Sequence, residues 1–513
     1  MPQLIAAPEW TPLMVLMLLI VGLMMTRGGR HAAESAALVA RLFLGMAVFF
    51  STCVIFAGPV RVELAGWGPA KLALLIDPLS VLMFLLVSFL GVVVTRYSIN
   101  HLHGDPGQAS FSRWLLATLT SVLVLVLSSN LLLFTAAWVA TSLSLHQLLT
   151  FYGERPAAVM AARKKFIVSR LADACMVAAL VLVWHGHGTW EFHELFDSPK
   201  AGASGLVAGL LVAAAMLKSA QFPFHSWLPD TLETPTPVSA LMHAGIINAG
   251  GFLIVRLSPL VAQSPAALNV LALLGAFTAL FASVIMMTQT SVKKSLAWST
   301  VSQMGFMMLQ CGLGAFALAM MHIVAHSLYK AHAFLSSGSV VSLANSAWKP
   351  SARPAAHPMT VLASLAAAVV VGLGAAKAVG HAGARDAGQG LLVAVFILAT
   401  AHLLWTLWSS SLRRGLILRG LGMAVAASVA CFALHAGFEH MLSGSLPAYA
   451  PTRSMAEHAV MVVVALLFLA VLVFQSQLPA WASRPGFARL YVHASNGFYL
   501  GTLFNKITRK IIA

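Results

Sequence analysis

The chain has 513 residues, 59% of them hydrophobic and 9% charged, with a mean hydropathy of +0.87 and a formal net charge of +16. A soluble globule carries roughly a quarter of its residues as charges, so composition excludes a soluble enzyme or a soluble nucleic-acid-binding protein. The apolar residues fall in blocks of about 20, the length a helix needs to cross a hydrocarbon core. The blocks are rich in Leu, Ala, Val and Met and lack the alternation of a membrane barrel.

In chain order, fifteen candidate spans begin near Thr11, Ala37, Leu74, Arg113, Leu131, Phe166, Gly205, Pro237, Ala266, Ser295, Phe316, Ala356, Leu391, Leu416 and Ala456. The expected fold class is an all-α polytopic membrane protein with about 15 transmembrane helices. No basic region precedes the long first block, which argues against a cleaved signal. Cations gather in alternate loops: Arg27 and Arg30; Arg96 and Arg113; Arg155, Arg163, Lys164 and Lys165; Lys293 and Lys294; Lys349 and Arg353; Arg413, Arg414 and Arg419. The intervening loops hold few, among them Arg61, Lys71 and Arg256. This positive-inside pattern places the N-terminus in the periplasm and the C-terminus in the cytoplasm of a bacterial inner membrane. The basic charge is therefore topology, with anionic lipid as a further partner and no nucleic acid. Cys53, Cys175, Cys311 and Cys431 stand singly as packing thiols. No Gly-rich dinucleotide loop or phosphate-binding lysine motif is present, so no cofactor is expected.

Charges inside the spans carry the functional signal, because each costs at least about 2.5–3.5 kcal/mol at the bilayer centre and needs a partner, water or a purpose. Arg41 lies near a helix end and can snorkel; Arg170, Lys218, Lys330 and Lys377 lie deeper, as do Asp77 and Asp173. His322, His326 and Lys330 are spaced i, i+4, i+8 and share one face of the eleventh span. Such a row can exchange protons near neutral pH, or can glue helices as a polar network. His322 and His326 have the spacing of a zinc-binding helix, but no glutamate lies between them, so no metal is expected. Arg170 and Asp173, three apart, can pair. In "KSAQFPFHSWLPDTLETPTPVSALMHAG", from Lys218 to Gly245, Pro223, Pro229, Pro235 and Pro237 interrupt the helix. Unwound backbone at membrane depth must face protein or water, so Lys218 is expected to have water access. Paired broken helices mark ion paths in transporters. "VVVGLGAAKAVGHAG" offers a counterpart, with Lys377 in the twelfth span equivalent to Lys218 if spans 4–8 and 9–13 are repeats.

The opening motif just quoted, "SVKKSLAWSTVSQMGFM" and "MHIVAHSLYKAHAFLSSGSV" resemble the antiporter-like subunits of respiratory NADH–quinone oxidoreductase (NuoL type) and the large Mrp antiporter subunit. The resemblance extends from Asp77 to the tail "LYVHASNGFYLGTLFNKI". It implies a fourteen-helix inverted-repeat core with broken helices 7 and 12. The domains are then N-terminal helices over 1–112, a first repeat over 113–256, a second over 257–412, and C-terminal helices with a cytoplasmic tail over 413–513. It implies that Lys218 is the broken-helix lysine and His243 the histidine of the next helix. His322, His326 and Lys330 would be the central relay, Lys377 the lysine of the second broken helix without its flanking "SKDE"-like motif, and Arg170 with Asp173 the Arg–Asp of the sixth helix.

Two departures narrow the resemblance. The family's Trp-Glu pair on the fifth helix is here Trp138-Val139, and the chain stops about forty residues past the last span. A short, stand-alone member is what the DabB subunit of Dab inorganic-carbon uptake complexes looks like. Its partner DabA contains zinc and resembles carbonic anhydrase. The expected function is translocation of protons or sodium to energise carbon accumulation, a transporter role without redox or hydrolytic chemistry of its own. A proton-pumping subunit of a respiratory or hydrogenase complex, an Mrp-type Na⁺/H⁺ antiporter subunit and a non-conducting scaffold are the alternatives. With the glutamate missing, Asp173 or His146 can compensate at Lys218, and Asp173 is favoured because a carboxylate supplies counter-charge. Asp77, His146 and Glu233 complete the candidate pathway residues.

Overall fold

In the computed structural model the described residues are 31–68, 70–197, 205–340, 357–380, 387–410, 414–446, 454–481 and 484–512. The first candidate span, from Thr11, lies outside them. The next, α1 (His31–Ala57), leads into a β-hairpin of β1 (Val60–Trp67) and β2 (Ala70–Ile76), and then into α2 (Pro78–His101). The hairpin corrects a reading that saw no strands. Its "VRVEL" alternates apolar and charged residues, a pattern too short to register among blocks of 20. The strands pair antiparallel with Val60 opposite Ile76 and Val62 opposite Leu74, and bulge between Glu63 and Ala65. Arg61, assigned to an outer loop by charge counting, is buried and donates to Glu191 Oε2 at 2.6 Å.

Three helices follow: α3 (Gln108–Leu127), α4 (Leu131–Leu149) and α5 (Pro156–His187). Asn130 caps α4 by accepting from the Leu133 amide at 2.8 Å, and Asp77 caps α2 by accepting from the Ser80 amide at 2.8 Å. Such caps satisfy amides that hydrocarbon cannot. α5 has 32 residues, a length of about 48 Å against a hydrocarbon core of about 30 Å. It starts ten residues before the apolar block at Phe166, so Lys164 and Lys165 are helical and buried rather than loop cations.

The chain then enters the interrupted region: α6 (Gly205–Lys218), short turns over 224–233, α7 (Thr236–Ala244) and α8 (Ala249–Arg256). Beyond it, α9 (Pro265–Met286), α10 (Val292–Gly312) and α11 (Phe316–Leu335) pack as neighbours. The α9–α10 pair is the tightest. A Cβ on Gly275 would meet the backbone of Leu309 and Gly305, and one on Gly305 that of Ala279. Small residues at such crossings let backbones approach where lipid supplies no hydrophobic drive.

Four long helices complete the bundle: α12 (Pro358–Ala378), α13 (Ala387–Ser410), α14 (Arg414–Leu442) and α15 (Met455–Trp481). α12 runs unbroken to Ala378, one residue past Lys377, and the chain is helical again from Ala387, the residues 381–386 between them lying outside the described set. Its glycines weaken a helix by roughly 1 kcal/mol each without removing a hydrogen bond, and after Pro358 it has no proline to do so. Lys377 lies in its last turn and is exposed. Two further helices, α16 (Pro485–Ser495) and α17 (Leu500–Ile512), turn back so that Phe504 meets Phe224 of the interrupted region, ring centroids 5.8 Å apart.

One apolar cluster runs from α1 to α11 and takes in Leu442 of α14, while α12–α14 also make small clusters of their own. Their outer faces carry Val370 at 73% exposure and Leu418 at 67%. Eleven helices among the described residues are long and apolar enough to cross a membrane, counting α7–α8 as one. In hydrocarbon such outward leucines and valines carry no penalty.

Candidate ion pathway

The break after Lys218 is a backbone event. α6 ends at Lys218, and Ala220 takes φ 51°, a left-handed conformation costing a residue with a Cβ about 1–2 kcal/mol. The chain is held there by Ser219 Oγ donating to Ile247 O at 2.8 Å and the Phe222 amide donating to Thr278 Oγ1 at 3.1 Å. Two ion pairs tie the acids of the segment to α5: Lys164 to Asp230 at 2.5 Å, and Arg155 to Glu233 at 3.2 Å. The Arg155–Glu233 pair is about half exposed, so Glu233 is a surface anchor rather than a buried carrier.

Lys218 itself is 5% exposed. Its Nζ donates to Trp138 O at 3.4 Å and stands 4.3 Å from the centroid of the Trp138 ring. No carboxylate lies within 4.0 Å of it among the described residues. Asp173 instead pairs with Arg170 at 2.6 Å, so the direct Asp173–Lys218 contact favoured from sequence is absent, although the two charges act on each other. Geometry explains the choice: Arg170 sits on the same helix three residues back, a shorter reach than from α6.

A second lysine joins the group. Lys165, 3% exposed, donates from Nζ to Ser142 O at 2.8 Å and Ser142 Oγ at 3.1 Å. Ser142 is four residues from Trp138, so both lysines dock on one face of α4 about 6 Å apart along its axis. His146, one turn further, is half-buried with its ring 5.0 Å from that of Phe166. Sequence reasoning missed Lys165 by reading "RKK" as loop. The signal was available, since a helix that starts at Pro156 carries Lys165 into the span about two turns before Asp173.

The central row is assembled as its periodicity predicted. His326, 5% exposed, places Nε2 3.1 Å from His243 O, and the fully buried His243 places Nδ1 3.1 Å from Thr300 Oγ1. His243 stacks on Phe334 at 4.3 Å. His322 Nδ1 lies 2.9 Å from Gln310 Oε1, and the His322 and His326 rings are 6.0 Å apart. At the other end Lys330, fully buried, donates to Leu296 O at 3.0 Å and Ser299 Oγ at 2.8 Å. Both α7 and α11 therefore direct titratable groups to one seam, with Asn248 fixing it by donating to Ser327 Oγ at 2.9 Å.

Two candidates stand apart. Asp77 is buried in a bidentate pair with Arg256 at 2.7 and 2.9 Å, which locks the start of α2 to the end of α8. Lys377 is exposed and, among the described residues, forms no ion pair with any of these groups.

Residues 128–369 match the family described as NADH:quinone oxidoreductase/Mrp antiporter, TM, and residues 67–112 that described as NADH-Ubiquinone oxidoreductase (complex I), chain 5 N-terminus. A probable inorganic carbon transporter subunit DabB2 of Halothiobacillus neapolitanus is 42% identical over 453 residues, 85% of this chain and 80% of that one. The probable DabB of Hydrogenovibrio crunogenus is 41% identical over 341 residues, 65% of this chain and 63% of that one. The chloroplastic NAD(P)H-quinone oxidoreductase subunit 5 of Chloranthus spicatus is 38% identical over 277 residues, 52% and 38% of the two chains. Among solved structures, the Mrp complex from Dietzia sp. DQ12-45-1b superposes with a TM-score of 0.66 at 25% identity, covering 92% of this chain and 57% of that one. The archaeal membrane-bound sulfane sulfur reductase shares the fold, with a TM-score of 0.59 at 16% identity over 96% and 98% of the two chains.

Proposed function

The chain belongs to the family of antiporter-like membrane subunits shared by NADH:quinone oxidoreductases and Mrp antiporters, on its DabB branch, and from that premise we propose that it translocates protons or sodium ions to energise inorganic-carbon accumulation. The observation that carries the reading is the seam of titratable groups in which His326 Nε2 of α11 lies 3.1 Å from the backbone carbonyl of His243 of α7, with Lys330 one turn along α11 on one side and His322 on the other. A charge buried in a span is costly, and four such groups in one seam support transfer along it rather than packing.

Lys218 is the first exchange site, given water access by the interrupted helix. Arg170 and Asp173 hold the local field, and Lys165 is an additional member. A zinc-containing DabA-like partner supplies hydration chemistry, and the cation gradient makes the accumulation thermodynamically favourable. The cytoplasmic side is the one carrying Lys293, Lys294 and the tail, by the positive-inside asymmetry.

The test is labelled-bicarbonate uptake by cells carrying the full complex, at matched membrane abundance. Lys218→Ala and Lys330→Ala are each expected to lower uptake at least tenfold with the complex still assembled, and a protonophore or sodium ionophore to collapse wild-type uptake. Wild-type uptake in both variants would overturn the pathway in favour of a scaffold. Co-purification with quinone-reductase subunits in place of a zinc partner would overturn the carbon assignment.

A further inference from the structure

The seam on α11 does not end in solid protein. Away from His243, its histidines border a partly open cavity of about 730 Å³ lined by α10, α11, α12, α13 and α14. Its walls are mainly apolar, but Gln310, His322, His326, Gln389 and His435 all reach its lining. At roughly 30 Å³ per molecule of liquid water, the volume accommodates on the order of twenty waters, and these side chains supply partners for them.

His435 is the informative member. It lies on α14, within the apolar segment Ile417–Leu442, and its Nε2 is 3.7 Å from Glu439 Oε1 one turn on. The two side chains are 12% and 20% exposed. An ionisable pair in a membrane-crossing helix is expensive and is by default a functional feature with a named partner. Lys377, the residue expected from sequence to continue the relay, is exposed and absent from the cavity lining although Leu373 and Ala376 of its helix contribute.

The helix ends agree on a side. Gln310 is near the C-terminus of α10, His322 near the N-terminus of α11, Gln389 at the N-terminus of α13, and His435 with Glu439 near the C-terminus of α14. In an alternating bundle those four ends lie on one face, the one opposite Lys293 and Lys294 and therefore the outer face by charge asymmetry.

Resting on the pathway proposed above, we propose that this cavity is a hydrated outer vestibule, and that His435 with Glu439 is the terminal relay connecting His322 to the outside. Lys330, His326 and His322 then form the inner approach, and the second half of the path leaves through α14 rather than α12.

Cys431 lines the same cavity and serves as a native reporter. In the full complex carrying Cys53→Ser, Cys175→Ser and Cys311→Ser, Cys431 is expected to react in spheroplasts with the charged, membrane-impermeant methanethiosulfonate MTSET, and the modified protein to lose cation-coupled uptake. Reaction with N-ethylmaleimide but not with MTSET would show a dry or lipid-filled cavity and overturn the proposal. Independently, His435→Gln and Glu439→Gln are expected to lower coupled uptake at least tenfold with assembly intact, Glu439→Asp to recover most of it, and Lys377→Ala to match wild type. Wild-type uptake in His435→Gln overturns the route. If Lys330→Ala is inactive in that same assay, the failure is confined to the vestibule; if Lys330→Ala is also active, the pathway itself has failed.

Discussion

Asp77 is the place where a structural and a transport role for a buried acid can be separated most cleanly. Its carboxylate receives two bonds from Arg256, at 2.7 and 2.9 Å, and one from the Ser80 amide at 2.8 Å. Asp77→Asn keeps a good N-cap oxygen for Ser80 but leaves the Arg256 guanidinium, 4% exposed, without its counter-charge. Stranding one member of a buried pair costs about 3–5 kcal/mol, a factor of roughly 150 or more in the folded population at about 1.4 kcal/mol per decade. Arg256→Met alone removes the cation and strands the acid, at a similar cost. The double variant removes both charges, so neither is left buried without its partner, and the cost is smaller than in either single variant. The assay is membrane abundance and thermal denaturation of the detergent-solubilised complex, with labelled-bicarbonate uptake normalised to abundance. Both single variants are expected to denature many degrees earlier, and the double variant to regain most of that stability together with uptake. Uptake that stays absent in a double variant of normal abundance would refute the argument and return Asp77 to the transport path.

Lys165→Met is expected to leave assembly and thermal stability unchanged, since an apolar side chain of similar length fills the site, while lowering uptake at least tenfold; normal uptake would reduce Lys165 to a packing residue. Asp173→Asn is expected to abolish uptake as thoroughly as Lys218→Ala, because Arg170 would lose the acid it holds at 2.6 Å. His146→Phe should be mild in the same transport assay, its ring already packing on Phe166. Gly305→Leu is expected to prevent accumulation in the membrane, read by immunoblot, because its Cβ position already meets the backbone of Ala279; overpacking of a single methylene costs about 1–3 kcal/mol and this adds four carbons.

The parts of this architecture that were legible in the sequence are those governed by local chemistry. Four prolines after Lys218 interrupt a helix wherever they occur, and His322, His326 and Lys330 repeat at the period of one helical face. What was not legible depended on distance or on a boundary. Arg256 and Asp77 are 179 residues apart, and nothing local distinguishes Arg256 from a loop cation. Lys165 was lost to a helix start misplaced by ten residues. The glycine-rich run before Lys377 does not itself interrupt α12, since glycine lowers helix propensity without deleting a backbone donor. His435 and Glu439 had a usable signal, an i, i+4 pair of ionisable residues inside an apolar span, but so close to the helix end the pair reads as an interfacial feature until the cavity beside it is seen.

The substitution of Val139 for the family's glutamate then acquires a physical sense. In a site with that glutamate, the lysine of the broken helix faces a carboxylate, and breaking such a buried pair costs several kcal/mol. Here Lys218 faces a backbone carbonyl at 3.4 Å and an indole ring at 4.3 Å, and a cation–π contact contributes about 0.5–2 kcal/mol. Lys165, one turn along α4, likewise has a carbonyl and a hydroxyl as its acceptors. Asp173, the acid nearest them among the described residues, is committed to Arg170. Two amines docked on neutral acceptors occupy shallower wells than one amine locked to a carboxylate, so a cation moved between them has less to climb. Each buried amine must still be satisfied, and the carbonyls of α4 at Trp138 and Ser142 do that without fixing the charge on either lysine.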